Sequence, residues 1–393
     1  MTFNPFDPAQ LVDPYPALAE LRQKCPVSNP VPGIHLVVRH ADVREILNDH
    51  ERFPQAGFTP LADRDPEELG LGELDPPQHT VVRKLVLTAF GASKVRQAQS
   101  FIDAASRQLV AAFLPAGRAD LVAQFAKPLP TMVVAHVMGV SEADSRDFRR
   151  LTDEVVDNLD PTQGSGDFVP VELFQYLGGL VRQHREAADP PDNLVSQMCN
   201  YVGEDGRPFT DRQIITQLMN VITGGIETTT HLIGNLFFEL AQRPELYQRL
   251  RADRSLVARA IEESLRHVAP IQFLFRRCPE GAQFGDGIVP PGGTIAMSFT
   301  SANRDETVWD HPDEFDLDRG GEGHLAFGFG IHHCVGAQLA RLEVNLALNA
   351  FLDAVETFQL DEGQGYERVK FVMMRGPRRL NVEFQTVTAP VAH

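Results

Sequence analysis

A glycine-rich stretch near the C-terminal end, residues 324–341, contains the cysteine on which most chemistry of this chain could depend. It reads HLAFGFGIHHCVGAQLAR, and three glycines surround Cys334: Gly328, Gly330 and Gly336. Glycines let the backbone adopt positive φ angles and approach a bulky ligand closely. A helical pattern from the cysteine to about residue 351 puts the thiol at the positive end of a helix dipole, among unpaired N–H groups. This position favours the thiolate, the form that ligates metals.

The residues alone leave two simpler interpretations of Cys334 open. The cysteine could be a buried structural residue in a glycine-rich turn, or it could form a zinc site with His332. A zinc site needs more ligands than these two. The other cysteines, Cys25, Cys199 and Cys278, lie far away in the sequence and form no pairs with metal-ligand spacing.

A proline-free stretch over residues 211–242 predicts one helix of about 30 residues, roughly 45 Å long. Near its middle lie Gly224 and Gly225, each of which costs about 1 kcal/mol relative to alanine in a helix interior. One explanation is a kink where the helix crosses another helix. The other is a flat ligand that lies against the helix, with Glu227 and Thr228 as a polar notch beside it.

A third candidate site is a basic pair on a helix in the first quarter of the chain. Asp75 is expected to be the N-cap of this helix and Pro76 its first residue, and the helix is expected to end near residue 90. On it, His79 and Arg83 are four residues apart and therefore share a face. From the spacing alone, the pair could equally be an ordinary solvated surface.

The loop around Cys334 resembles the haem-ligand loop of the cytochrome P450 family. The matching positions are Phe327, Gly328, Gly330, His332, Cys334 and Gly336, with Leu339 and Ala340 behind them. In that family, the cysteine gives a thiolate to the haem iron, and its electron donation favours O–O cleavage. The resemblance extends over nearly the whole chain, with its motifs in the family's order. It implies a mainly α fold with small β-sheets at one side and a long central helix over the haem.

The same resemblance assigns roles to the other motifs. GGIETT matches the family's A/G-G-x-[DE]-T-T, whose acid and alcohol, here Glu227 and Thr228, relay protons to bound dioxygen; Gly224 precedes them, where alanine is common. The remaining family positions are the propionate ligands His79, Arg83, Arg276 and His332, and a buried structural ion pair, Glu263 and Arg266, packed against residues 303–319.

The family's activity is the expectation for this chain. It would be a haem-thiolate monooxygenase that holds haem b and inserts one oxygen atom from O2 into a substrate. No flavin or nicotinamide fingerprint is present, so a ferredoxin and its reductase are the expected electron donors. Two alternatives remain: a peroxygenase, whose members generally lack the acid–alcohol pair, and a non-catalytic haem ligand sensor, which needs no proton relay.

The substrate is the least defined part of the expectation. Asn220, Thr223 and Gly224 precede the Glu227–Thr228 pair on one helix face and are expected pocket walls. The resemblance adds Phe58, Gln272, Phe273, Met373 and Met374. They are mostly apolar, which suits a medium-sized hydrophobic molecule such as a terpenoid, fatty acid or aromatic compound. No arginine among them could hold a carboxylate, although the segment over residues 160–169, the expected lid, could supply one.

Electrons are expected to enter on the face that carries Cys334. Basic residues predicted around that face are Lys84, Lys94, Arg96, His333 and Arg341. Singly, each is more simply an ordinary solvated residue. Together they would form a positive patch for an acidic ferredoxin, an unusual grouping in a chain with a net charge of −17.

Composition excludes several other classes of protein. The 393 residues include 36 basic and 53 acidic ones, and no basic stripe offsets the excess, which argues against nucleic acid and anionic membranes as partners. No stretch of 18 apolar residues and no signal-peptide pattern is present. Without a linker or repeat, residues 1–393 are expected to form a single domain. We expect a monomeric, cytoplasmic protein.

Overall fold

The computed structural model describes residues 3–4, 7–55, 65–159, 171–203, 206–319, 321–363, 366–369 and 371–387, and the statements below concern those residues. Helices form most of the chain. In chain order they are α1 (Pro8–Val12), α2 (Tyr15–Lys24), α3 (His40–Asn48), α4 (Gln78–Phe90), α5 (Ala92–Phe113), α6 (Pro128–Met138), α7 (Ser145–Leu159), α8 (Val171–Glu186), α9 (Leu194–Asn200), α10 (Asp211–Ala241), α11 (Pro244–Ala252), α12 (Val257–His267), α13 (Phe299–Ala302) and α14 (Ala337–Ala354).

Short strands form small sheets beside the helices. They are β1 (Val27–Val31), β2 (Ile34–Val37), β3 (Arg118–Asp120), β4 (Phe273–Cys278), β5 (Ala282–Phe284), β6 (Gly287–Val289), β7 (Gly293–Ser298), β8 (Val355–Leu360), β9 (Tyr366–Arg368) and β10 (Pro377–Thr386). One sheet has the order β1-β2-β7-β4, in which only β2 and β7 are parallel. A second has the order β3-β10-β8 with β9 on β10, and β5 pairs with β6. The predicted mainly α fold with small sheets is confirmed.

Helix α10 is the 31-residue element around which the other helices pack. Its start is fixed by a capping box, in which the Gln213 N–H donates to Thr210 Oγ1 at 3.2 Å and the Thr210 N–H to Gln213 Oε1 at 2.9 Å. The helix is continuous through its two central glycines. Buried residues occur on nearly all its faces, because α6, α8, α12, α14 and β10 surround it.

The start of α4 differs from the sequence-based expectation. The helix begins at Gln78, with Pro77 rather than Asp75 at the N-cap position. The Asp75 side chain is engaged elsewhere, since its Oδ2 accepts a hydrogen bond of 3.0 Å from the Gln55 N–H. The end of the helix at Phe90 agrees with the prediction, and His79 and Arg83 both lie within it.

The apolar core is continuous around the central helix. Aromatic side chains pack at its C-terminal half, where the ring of Phe237 lies 4.9 Å from that of Phe351 on α14 and 5.8 Å from that of Phe125. This packing joins α10 to α14 and so fixes the two helices that flank the site described below. Among the helices described, none combines the length and apolarity needed to cross a lipid bilayer.

Candidate active site

The cysteine loop is a tight turn that leads into α14. Gly328 and Gly330 both have φ of 70°, the left-handed region that favours glycine. A Cβ on Gly330 would also lie 2.6 Å from the carbonyl oxygen of Leu47, so no larger residue fits there. The Cys334 N–H donates to the carbonyl of Phe327 at 2.8 Å, which closes the turn. The loop therefore holds the thiol in one place, just before the first turn of α14.

Gly336 differs from the other two glycines. Its φ is −85°, so the expectation that it needs a positive φ is wrong. A Cβ at this position would lie 3.9 Å from the Cys334 sulfur, an ordinary contact distance, so the protein itself does not require a glycine there; the residue borders the cavity that the thiol faces. A side chain here would occupy room beside the sulfur.

That cavity lies between the cysteine loop and α10. It offers about 360 Å³ to the centres of water-sized molecules and continues into open solvent. Cys334, Phe327 and Val335 line one part of it, and Gly224 and Thr228 of α10 line another. Apolar side chains make up most of the rest. Both of the chemically distinctive motifs of the sequence therefore meet at one cavity.

The thiol is accessible to this cavity, yet protein packs closely around it. Burial raises the pKa of Cys334 above its ordinary value, and four groups oppose the rise: the N–H groups of Gly336 and Ala337 and the positive charges of Arg83 and Arg341. The positive end of α14 is thus present, as predicted, but burial outweighs it. A cation bound at the sulfur would reverse this balance in favour of the thiolate.

Three basic side chains come together beside the cavity: Arg276 and His332 line it, and His79 is buried against the His332 ring. The rings of His79 and His332 lie 4.2 Å apart, and the Nε2 atom of each is buried without a hydrogen-bond partner in the described part of the chain. Arg276 is 3% exposed, and its Nη1 donates to Gln55 Oε1 at 2.8 Å and to the carbonyl of Phe275 at 2.9 Å. These three side chains are called the basic cradle below.

The basic cradle has little compensating negative charge. Burial, reinforced by the charge of Arg83, lowers the pKa of His79 to about 4. Burial and the neighbouring His79 and Arg276 lower the pKa of His332 to about 3. Burial lowers the pKa of Arg276 to about 10, opposed only by Asp75, whose own carboxyl pKa burial raises. A buried anion that accepts hydrogen bonds is what these groups require.

Arg83 lies next to the basic cradle and also lines the cavity. Its Nη2 donates to the carbonyl of His333 at 2.7 Å, which ties α4 to the cysteine loop. The sequence-based spacing of His79 and Arg83 therefore reflects a shared face that contacts the loop. Gln55 gave no signal in the sequence, because it is a single amide in a segment without periodicity.

The two central glycines of α10 have different surroundings. A Cβ on Gly225 would lie 3.2 Å from Val134 Cγ2 of α6, so this glycine serves helix packing. A Cβ on Gly224 would meet nothing within 4 Å, because the residue borders the cavity. No protein contact requires a glycine there. The structure thus favours the ligand explanation at Gly224 and the packing explanation at Gly225.

Together these features suit the binding of haem. The cavity has a thiol on one wall and a helix without a side chain at Gly224 on another, which leaves room for a flat ring. The unpartnered imidazoles of the basic cradle suit two propionate carboxylates. Among the described residues, no group of three or more His, Cys, Asp or Glu side chains forms a metal cluster.

Glu227 and Thr228 lie on adjoining faces of α10. Thr228 lines the cavity, and its hydroxyl donates to the carbonyl of Gly224 at 2.5 Å. Glu227 does not line the cavity; it is 5% exposed and lies 3.6 Å from His231 Nε2. His231 was not among the residues predicted from the sequence, although its spacing of four residues from Glu227 puts it on the same helix face.

The Glu263–Arg266 pair is completely buried. Arg266 Nε and Nη2 donate to the two Glu263 oxygens, each at 2.8 Å. The remaining donors of Arg266 bind the carbonyls of Asn303, Pro312 and Glu314. Glu263 Oε1 also accepts from the Asp316 N–H at 2.9 Å. The other hydrogen-bond partners of this ion pair thus all lie within residues 303–319, the segment predicted to pack against it.

The predicted substrate pocket is only partly reproduced. Asn220 and Gly224 border the cavity, and Phe58 lies outside the described residues. The other five predicted walls do not line it: Thr223, Gln272, Phe273, Met373 and Met374. Thr223 donates to its own helix at the Met219 carbonyl, and Gln272 donates to the Val372 carbonyl at 2.7 Å. Their side chains are used within the protein. The residues that do line this part are Leu71, Val86, Phe90, Ile271, Leu274 and Phe275.

The predicted basic patch is weaker than expected. Arg341 Nε and Nη2 donate to the two oxygens of Glu262 at 2.6 and 2.9 Å, and Lys94 pairs with Asp192. Both acids are distant in sequence, so no local spacing could have predicted the pairing. The exposed members of the patch are Lys84, Arg96 and His333.

Comparison with known proteins agrees with this geometry. A family model described as cytochrome P450 matches residues 32–382. Cytochrome P450 107B1 of Saccharopolyspora erythraea is 36% identical over 342 residues, which cover 86% of this chain and 82% of the relative. Cytochrome P450 monooxygenase PikC of Streptomyces venezuelae is 34% identical over 388 residues, which cover 95% of this chain and 91% of the relative.

Solved structures agree as well. The structure of cytochrome P450 CYP109Q5 from Chondromyces apiculatus matches with a TM-score of 0.88 at 30% sequence identity. The match covers 98% of this chain and 99% of that one. The fold of this chain therefore recurs in a cytochrome P450 of known structure.

Proposed function

This chain belongs to the cytochrome P450 family of haem-thiolate monooxygenases, and on that premise we propose that it holds haem b through Cys334 and hydroxylates a medium-sized hydrophobic molecule. Electrons would come from a ferredoxin and its reductase. One domain, residues 1–393, would carry the whole site. The observation that carries the proposal is the basic cradle beside the cavity of Cys334. There the Nε2 atoms of His79 and His332 are buried without a hydrogen-bond partner among the described residues, next to the buried Arg276.

Each residue at the cavity has a distinct part in this proposal. Cys334 would ligate the iron as thiolate, and its loop fixes the sulfur. His79, His332, Arg276 and Arg83 would bind the two propionates, with Arg83 also bracing the loop. Gly224 leaves room for the ring. When bound, haem supplies the iron at which O2 is activated.

The chain's own contribution to the reaction is the control of protons and water. The Thr228 hydroxyl lies at the cavity and can pass a proton on, while its bond to the Gly224 carbonyl sets its orientation. Glu227, buried on the adjoining face, would supply that proton. The mostly apolar walls bind little water near the reacting site, which would limit loss of protons and oxidant.

The lining supports an apolar substrate with a few polar contacts. Leu71, Val86, Phe90 and Leu274 provide apolar area, and Asn220 provides an amide. Arg83 and Arg276 are the arginines that border the cavity, and both belong to the proposed haem site. A substrate carboxylate thus has no dedicated partner among the lining residues. Screening compounds for the low-to-high spin change of the ferric haem would identify ligands.

The activity is tested by product formed per NADH consumed with surrogate ferredoxin partners. We expect an oxidised product that requires both NADH and O2. Product from hydrogen peroxide alone would indicate a peroxygenase, and ligand-dependent spectra without product would indicate a sensor. Thr228→Ala should keep substrate binding and NADH consumption but divert electrons to hydrogen peroxide.

Thr223 offers a matched control for that variant. It is another α10 threonine whose hydroxyl donates to the carbonyl four residues earlier, at 3.0 Å, but it does not line the cavity. Thr223→Ala should leave the product yield per NADH at the parent's level. Equal yields in parent and Thr228→Ala would show that the proton relay lies elsewhere.

The electron donor is proposed to dock near the exposed Lys84 and Arg96 on the Cys334 side. Reduction by an acidic ferredoxin should then slow as salt rises from tens of millimolar to about half molar, where screening shortens to a few ångströms. Arg96→Glu should slow reduction at low salt, whereas Arg118→Glu, an exposed arginine on β3, should not. Stopped-flow rates that are flat in salt would contradict this docking mode.

A further inference from the structure

A row of buried polar residues runs along one face of α10. Its members are spaced by four residues and are 3–5% exposed: Glu227, His231, Asn235 and Glu239. At a rise of about 1.5 Å per residue, the row covers roughly 18 Å of the helix. Buried polar side chains normally have hydrogen-bond partners, so each member of the row can be tested against this rule.

The outer half of the row is fully engaged. Asn235 Nδ2 donates to the carbonyls of Val268 and Arg375, at 3.2 and 2.9 Å. Glu239 Oε1 lies 3.2 Å from His267 Nδ1, and the other nitrogen of that ring lies 3.0 Å from the carbonyl of Asp313. These contacts join α10 to the segments around it. The outer half is therefore explained as structure.

The inner half of the row also brings a carboxyl group next to an imidazole, but it lacks the hydrogen bonds found in the outer half. Glu227 Oε1 and His231 Nε2 are 3.6 Å apart, beyond a normal hydrogen bond. Glu227 Oε2 and both ring nitrogens of His231 are buried and have no hydrogen-bond partner within the described ranges. Two carboxyl–imidazole pairs of similar burial thus involve α10. Glu239 pairs with His267 of α12, whose ring is bonded at both nitrogens, whereas Glu227 and His231 both lie on α10 and lack such bonds within the described ranges.

From this contrast we propose that His231 is a proton-relay residue that recharges Glu227, with water as the bridging partner. The inference rests on the proposed role of Glu227. Neither side chain lines the cavity, so His231 acts through Glu227 and Thr228 rather than on the substrate. Buried polar atoms that lack protein partners are the sites at which water is bound inside proteins.

Three proton transfers make up the relay. Glu227 gives one proton towards Thr228 and becomes a carboxylate. His231 transfers the Nε2 proton to that carboxylate, directly or through one water molecule, and its Nδ1 takes up a proton from water. These transfers move one proton inward and restore the protonated Glu227 carboxyl, and they leave the His231 ring as its Nδ1–H tautomer. Exchange of that remaining ring proton through water returns the ring to the Nε2–H tautomer. An imidazole suits this role because either nitrogen can donate or accept.

Two structural explanations compete with the relay. Gly376 lies against the ring, since a Cβ there would be 2.4 Å from His231 Nδ1, so His231 could simply fill space. Alternatively, it could hold Glu227 in position by a hydrogen bond. A phenylalanine would satisfy the first explanation, and a glutamine would satisfy the second. Neither residue can carry a proton.

The direct test is the solvent exchange of the ring N–H protons, measured by NMR on haem-loaded protein labelled with 15N-histidine, in the diamagnetic ferrous carbonyl form. His267 is the matched control, because it is buried like His231 but bonded at both nitrogens. We expect the His231 N–H to exchange at least tenfold faster than that of His267. Equal or slower exchange at His231 would overturn the proposal.

A second test separates the relay from the structural explanations. His231→Phe and His231→Gln should each lower product per NADH at least twofold and raise hydrogen peroxide. His267→Gln should lower thermal stability but keep the parent's ratio. A parent-like ratio in either His231 variant would overturn the relay. If the parent itself forms no product, the proposed function fails, while the exchange measurement still decides whether His231 handles protons.

Discussion

Replacing His79 by phenylalanine should have opposite effects on the haem-loaded and the haem-free protein. In the haem-free protein, the buried Nε2 of His79 has no partner among the described residues, and removing such an atom relieves about 1–3 kcal/mol. A phenyl ring can pack on the His332 ring, 4.2 Å away, so little contact area is lost. The haem-free variant should therefore unfold at a higher denaturant concentration than the parent.

With haem, the same replacement should weaken binding. A hydrogen bond to a charged group contributes about 1.5–3 kcal/mol. Its loss corresponds to a roughly tenfold to 150-fold weaker haem affinity, since every 1.4 kcal/mol is about tenfold. Haem titration of the apoprotein, followed at the Soret band, measures this change. Denaturant unfolding of both forms measures the stabilities.

His184 supplies the control for this experiment. It is also buried, but its Nδ1 lies 2.8 Å from the carbonyl of Leu180 and its Nε2 lies 3.1 Å from Asn193 Nδ2. His184→Phe should destabilise both forms and leave haem affinity unchanged. If His79→Phe behaves like His184→Phe, the basic cradle is ordinary structure and the reasoning is refuted.

Three further predictions concern Arg266, Glu343 and Gly224. Arg266→Met should destabilise the fold by about 3–5 kcal/mol in denaturant unfolding, because it leaves the Glu263 carboxylate buried without its main partner; a loss under about 1 kcal/mol would contradict this. Burial raises the pKa of Glu343 to about 8, so between pH 4.5 and 8 this carboxyl is ionised in the unfolded protein but protonated in the folded one. The free energy of unfolding of the parent should therefore fall by about 1.4 kcal/mol per pH unit over this range, relative to that of Glu343→Gln. Parallel curves of stability against pH for the two proteins would disprove this. Gly224→Leu should leave the haem-free fold as stable as the parent and lower haem or substrate affinity in spectral titration, since its Cβ meets no protein atom within 4 Å.

Local patterns were sufficient for the elements that frame the site. The capping box at Thr210 and the absence of proline predicted α10 to within a residue at its end, because capping and propensity act within a few residues. The glycines at 328 and 330 were correctly tied to positive φ. In contrast, Gly336 could not be separated from them, since the local sequence does not show that it borders the cavity.

Contacts between distant segments were beyond the reach of the sequence. The pairing of Arg341 with Glu262 joins α14 to α12, and it offsets the charge of one member of the positive patch predicted on the Cys334 face. The pocket walls predicted near the start of β4, Gln272 and Phe273, lie one residue away from Ile271 and Leu274, which line the cavity. The orientation of this segment is set by its pairing with β7 and by the hydrogen bonds of Gln272, which the local sequence does not show. The partnerless nitrogens of His231 became visible only in three dimensions.

The central claim, that Cys334 ligates haem iron as a thiolate, is tested most directly by the carbonyl spectrum of the reduced protein. The parent should show the far red-shifted band that a thiolate ligand produces. Cys25→Ser should keep that band, since Cys25 lies outside the cavity. Cys334→His should lose it together with monooxygenase activity, even if haem is retained, and an unchanged carbonyl band in Cys334→His would contradict the account.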